Sequence, residues 1–253
     1  MEHYQENKAM IRNSFENNLN KLIEDFNFKG NKKYKLIILF GLLGDFDSFE
    51  YAINLTKYFD NKQNADLNIF AVGIGNKFGK EKFCNFTGFP RENLEVVPDN
   101  KIHNALMASK GIDIGLGGWL NMLLMLSGVN SFKTIKEVIR GYTGDRTSKQ
   151  IFSELDQINL LNFLKFSGNS FKLAFGDGYL RPFELATFRL NNMIEIIQNW
   201  EHYIFNDKFL PQRGASFILN NQNQVIYKYF SHDVLGYSPN MNNPLGFISE
   251  VCK

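Results

Sequence analysis

The sequence predicts an α/β fold built on a largely parallel sheet. Three observations predict it. Apolar β-type runs alternate with amphipathic helical patterns over the first 110 residues, an order that feeds parallel strands through right-handed helical crossovers. A β-hairpin pattern followed by a helix closes the chain at 215–251. Between these parts, residues 112–210 read as mostly helical, and they are expected to form a long insertion between a βαβα half and the final hairpin. The expected organisation is a single domain over 1–253, with 112–210 as an insertion within it.

In chain order, residues 8–27 repeat apolar side chains at spacings of three and four (Met10, Ile11, Phe15, Leu19, Leu22, Ile23, Phe26), the mark of a helix. Lys29–Lys33 breaks it and leads into a strand at 34–40. A helix follows at 48–60, then a polar loop at 61–65 and an apolar, β-branched strand at 67–74. Helices are expected at 78–87 and 101–109, with a short strand at 94–97 between them. The insertion reads as helices at 116–128, 131–140, 148–165 and 182–205, separated by glycine-rich loops at 141–145 and 176–182. Two β-rich runs, 215–219 and 225–230, flank the polar turn Asn220–Gln224, and a last helix is expected at 244–251.

Composition narrows the function. The 253 residues are 44% hydrophobic and include 25 Phe, enough for a sizeable core. A formal charge of +2 lacks the basic excess of a dedicated nucleic-acid binder, so no nucleic-acid partner is expected. Cys84 and Cys252 are too far apart in sequence to form a redox pair or a cysteine zinc site, and no metal or other cofactor is implied. Met1–Lys8 lacks the basic-then-apolar pattern of a secretory leader. The longest apolar run, Gly115–Val129, falls short of a membrane span of about 20 residues. No transmembrane segment and a cytoplasmic protein are therefore expected. That run reads as a helix buried in the insertion, or as one resting on a membrane or a protein partner.

The turn Asp45-Phe46-Asp47-Ser48, between the strand at 34–40 and the next helix, carries the densest polar chemistry. Asp47 followed by Glu50 fits a helix cap with its box-closing acid. As a functional alternative, Asp45 and Asp47 would offer an anionic site to a cation or a basic group. Ser48 as a nucleophile would need a base delivered by folding, from His103 or His232. Cys84, between Phe83 and Phe86, reads as a buried structural thiol or, if exposed beside Lys80 and Lys82, as a reactive one. Cys252 has no scaffold around it. Gly73-Ile74-Gly75 departs from the dinucleotide fingerprint, because Phe78 stands where its third glycine belongs, and reads as a tight turn. Asp145-Arg146 and Arg181–Glu184 read as salt-bridged surface or as part of a cleft.

Three segments together resemble the peroxiredoxin-like branch of the alkyl hydroperoxide reductase and thiol-specific antioxidant superfamily. They are Leu39–Tyr51, Ile69–Asp99 with its Phe83-Cys84-Asn85-Phe86-Thr87-Gly88 phrase, and Gln212–His232. The chain looks most like the larger cyanobacterial-type members. The resemblance implies a thioredoxin-like (peroxiredoxin-like) three-layer sandwich and an antioxidant thiol oxidoreductase. It also implies that the turn before the second helix would hold a redox Cys-x-x-Cys. Here that slot reads Asp45-x-x-Ser48, and no proline stands immediately before the strand at 215. Sulfenic acid and disulfide chemistry need sulfur. The expectation is therefore a redox-silent protein with a binding or regulatory role and a possible protein partner through the insertion. The alternatives are a thiol peroxidase using Cys84, or a small-molecule or nucleotide binder at the sheet edge. No catalytic residue is assigned; Asp45, Asp47 and Ser48 form the degenerate slot and Cys84 is the candidate thiol.

Overall fold

A computed structural model of the protein describes residues 2–28, 30–60, 66–115, 117–129, 131–160 and 164–252. Helix α1 (Glu2–Asp25) precedes strand β1 (Tyr34–Leu42), helix α2 (Phe46–Asp60), strand β2 (Leu67–Ile74), helix α3 (Lys77–Thr87), strand β3 (Leu94–Val97) and the short helix α4 (Lys101–Ala105). The chain closes with strands β6 (Ala215–Asn220) and β7 (Val225–Phe230) and helix α10 (Gly246–Val251).

One sheet, ordered β3-β2-β1-β6-β7, organises the protein. β1 lies in its middle, parallel to β2 (Leu36 beside Ile69) and antiparallel to β6 (Leu36 beside Ile218). Its continuous apolar run follows from this position, since the central strand of a sheet with helices on both sides is buried on both faces. On one face α1 packs Phe15 edge-on to Phe217, with centroids 5.3 Å apart. On the other, Phe40 meets Tyr51 of α2 and Phe83 of α3, and Tyr227 stacks on Phe247 of α10. This is the expected three-layer sandwich, with β3 as an added edge strand. Helix α3 is capped by Asn76, whose side chain accepts from Gly79 N at 2.8 Å, and it ends at Gly88 in the left-handed conformation. Gly73 serves packing: a Cβ there would lie 2.5 Å from Leu43.

The insertion carries α5 (Gly118–Leu126), α6 (Phe132–Thr143), a small hairpin β4 (Gln157–Leu160) and β5 (Leu164–Ser167), α7 (Asn169–Phe175), α8 (Glu184–Gln198) and α9 (Trp200–Tyr203). The hairpin overturns the helix expected at 148–165. Ile151, Leu155 and Ile158 mimic helical spacing, but Leu155 is exposed and the buried pair Ile158 and Leu160 alternates with Gln157 and Asn159, the period of a strand. Residues 141–143 belong to α6 and not to a loop, and α4 ends at Ala105 and not at 109. The expected burial of Gly115–Val129 holds for half of α5: Met122, Met125 and Asn121 are buried, whereas Trp119, Leu120 and Leu123 face solvent. The polar loop expected at 61–65 lies outside the described residues. Among the described residues no helix is long and apolar enough to cross a membrane.

Candidate functional site: a carboxylate–arginine slot at the start of α2

β1 delivers the chain through Leu43 and Gly44 to the start of α2, under the entry to β6. The first N–H groups of a helix have no intrahelical partner. Asp45 supplies one, its Oδ1 accepting from Ser48 N at 2.6 Å. This corrects the sequence reading, which put the cap on Asp47 and the box on Glu50. The helix opens earlier, at Phe46, which places Asp47 inside the first turn. Asp47 points instead at Arg213, which donates from Nη1 to Oδ2 at 2.9 Å, while Leu235 N donates to Oδ1 at 2.8 Å. Arg213 is itself fixed by donating to the carbonyls of Pro211 and Leu210, each at 2.8 Å. The Asp47–Arg213 pair is almost wholly buried.

Burial raises the pKa of the Asp45 carboxyl, against the pull of Arg213 and the Ser48 N–H. Burial, with help from Asp45 and Glu50, pushes Asp47 up to about 7, again against Arg213. Gly41 is required here, because a Cβ would sit 2.2 Å from Asp45 Oδ2. Ser48 Oγ is buried with no hydrogen-bond partner among the described residues. Tyr51 and Ser216 share a hydrogen bond of 2.8 Å beside it, linking α2 to β6.

Glu50, one turn further on, continues the charge network into the insertion. Arg189 of α8 donates to both its oxygens, at 2.6 and 3.2 Å, and Tyr237 OH adds a bond of 3.3 Å. Arg189 also reaches Glu137 of α6, which is held by Arg140 at 2.7 Å. Beyond Glu50 opens a cleft of about 420 Å³ between α2, the loop 147–151 and the loop 241–245. Asn54, Lys57, Lys149 and Gln150 form part of its wall, with Leu185 and Phe188 as an apolar side. Sequence reasoning missed Arg189 and Arg213. Arg213 left one signal, standing two residues ahead of a strand where the resemblance leads one to look for proline. Among the described residues no peptide bond is cis.

The other candidates fall elsewhere. Cys84 is buried on α3, and desolvation pushes its thiol up to about 11 despite Lys80 and Arg91. Cys252 is half-buried, and burial raises it likewise to about 11. His103 is buried, with Nε2 2.6 Å from the Phe40 carbonyl, and burial lowers it to about 4, so it is neutral and Nε2–H donates. His232 is exposed. Neither ring bonds to Ser48, so neither histidine serves it as a general base. Arg181 and Glu184, read as surface or cleft, are fully buried and paired at 2.9 Å. Asp145 accepts from Thr147 and Ser148, ordering a turn. Among the described residues no group of three or more His, Cys, Asp or Glu side chains is placed to hold a metal.

The strand order, with a βαβ unit joined to an antiparallel hairpin and a helix-start slot over the end of the central strand, defines a thioredoxin-like protein with a helical insertion. Within that class the chain belongs to the AhpC/TSA antioxidant enzyme family, whose model matches residues 54–233. The match opens inside α2, so the turn carrying Asp45–Ser48 lies ahead of it. No match was found among curated proteins or among solved structures.

Proposed function

We propose that this protein is a redox-silent, peroxiredoxin-like member of its family whose role is binding. The observation that carries the reading is the occupancy of the slot: the carboxylates at the start of α2 are spent on Ser48 N, Leu235 N and Arg213. A helix start that would lower a thiol pKa and stabilise a thiolate here holds two carboxyls whose charge burial disfavours, and neither Asp nor Ser can pass through a sulfenic acid. Cys84, the thiol of the alternative peroxidase reading, has its proton held tightly by burial.

Peroxide consumption with thioredoxin and its reductase, measured for the wild type and for Cys84→Ser, tests this. No turnover above the reductant-only rate is expected in either protein. Turnover that disappears in Cys84→Ser would replace this reading with the peroxidase one.

The cleft beside Glu50 supports a small-molecule ligand as the thing bound. Its volume falls in the range of ligand sites, about 300–1,000 Å³. Its cationic and amide side chains beside an apolar wall suit an anionic group carried on an apolar body. Native mass spectrometry of the purified protein reads this directly: a retained adduct is expected, and a clean apo mass counts against it.

A further inference from the structure

Helix α6 is amphipathic in the inverse sense. Its buried side is polar: Thr134, Glu137 and Arg140, with Thr134 Oγ1 donating to Val234 O at 2.9 Å and Arg140 held on Glu137. Its apolar stripe, Phe132, Ile135, Ile139 and Tyr142, points to solvent, with Phe132 79% exposed. A helix on a core ordinarily does the reverse. Helix α8 buries a mixed side, Glu184 with Leu185, Phe188 and Ile196, and leaves Leu190 and Ile197, with Phe183 at its cap, exposed as well.

The two stripes are neighbours. Tyr142 and Phe183 meet edge to face at 5.9 Å, Gly141 faces Ala186, and Glu137 holds Arg189. These pairs step down α6 while stepping up α8, so the helices run antiparallel and their exposed sides form one face.

We propose that this α6–α8 face is the contact surface between two copies of the chain, related by a two-fold axis. Area is the first support. With aromatic side chains worth about 150–250 Å² each and aliphatic ones somewhat less, the exposed fractions come to roughly 700 Å², close to the share of about 800 Å² that one partner contributes to a standard interface. The largest apolar patch of an ordinary monomer is about 300–600 Å². Spacing is the second: Phe183, Leu190 and Ile197 recur every seven residues, so their exposed side chains fall on one stripe beside α6. Charge is the third. The stripes carry none, so a two-fold sets no like charges opposite each other, and Lys133 and Lys136 stand beside the α6 stripe, exposed, as rim residues do. A helix lying on lipid would keep its arginines for headgroups, whereas Arg140 and Arg189 are consumed inside the protein.

Sedimentation velocity of the full chain up to about 100 μM, where a micromolar interface is populated, tests this. A dimer is expected. Ile139→Glu with Leu190→Glu is expected to raise the dimer Kd at least tenfold while the far-ultraviolet circular dichroism stays unchanged. If that variant loses its helical signal, Phe132→Ser at the most exposed position serves in its place, with a smaller rise in Kd expected. A wild-type monomer at the highest concentration overturns the proposal. A dimer indifferent to these substitutions also overturns it. So does a monomer that co-floats with phosphatidylserine vesicles through this face, which would assign the face to lipid.

Discussion

Replacing Arg213 with methionine removes the only cation hydrogen-bonded to Asp47 among the described residues and leaves a carboxylate and two carbonyls, those of Leu210 and Pro211, in a dry site. Breaking a buried pair from one side costs about 3–5 kcal/mol. For a chain of this length about 4 kcal/mol corresponds to a fall in Tm of about 8–16 °C, at about 2–4 °C per kcal/mol. The loss depends on pH, with a definite sign. Without Arg213 the Asp47 pKa climbs beyond its already raised value of about 7. A carboxyl with a higher pKa folded than unfolded binds its proton more tightly in the fold. Its contribution is complete below the unfolded value near 4 and is lost as pH rises through the folded value. The deficit of Arg213→Met is therefore expected to be larger at pH 8 than at pH 5. Adding Asp47→Asn removes the buried charge and keeps an oxygen for Leu235 N, so the double variant is expected to recover about half of the loss. Thermal unfolding followed by circular dichroism reads all of this. A fall in Tm below about 3 °C, equal falls at the two pH values, or a double variant no better than the single would refute the account of the slot as a charge pair.

Three further outcomes are expected. Asp45→Ala removes the cap of α2 and costs about 1 kcal/mol, whereas Asp45→Asn, which keeps an acceptor for Ser48 N without a charge to desolvate, is expected to be neutral or better in urea unfolding. His103 has a pKa lowered to about 4, so its contribution is complete above its unfolded value near 6.5 and is lost as pH falls through the folded one. His103→Gln is expected to remove about 3 kcal/mol of the acid-side loss, seen as a shallower fall of the urea midpoint between pH 6.5 and 4. Cys84, with a thiol pushed up to about 11, holds about one thiolate in a thousand at pH 8. Its reaction with Ellman's reagent is expected to be at least tenfold slower in the native protein than in guanidinium, and equal rates would contradict its burial.

Much of this architecture was legible in the sequence, for identifiable reasons. β1 and β2 are short apolar runs that can only be central strands, and the polar turn Asn220–Gln224 between two β-rich runs marks the hairpin. The slot was legible as a strand, a turn and a helix start. The periodicity of α6 and α8 was legible too, but periodicity says which residues share a face and not where that face points. On α6, buried ion pairs of Glu137 with Arg140 and with Arg189 drew the polar side inward. The cap was misplaced by two residues because Asp45 and Asp47 both suit the position, and only the tertiary pull of Arg213 and Leu235 separates them. Arg213 lies 166 residues from its partner, and no local pattern announces a pairing at that distance.

That separation also sets an order of assembly. Synthesis delivers Asp45, Asp47 and Glu50 long before Arg189 and Arg213, and the Glu50–Arg189 pair spans 139 residues. Burying the three acids before their arginines arrive costs several kcal/mol per unpaired charge, so the start of α2 stays hydrated while the sheet's first strands are made. Closure of the slot waits for β6 to dock against β1 and for α8 to reach α2, contacts of long range that form slowly. The first polar turn translated after β1 is thus among the last places in the protein to become dry.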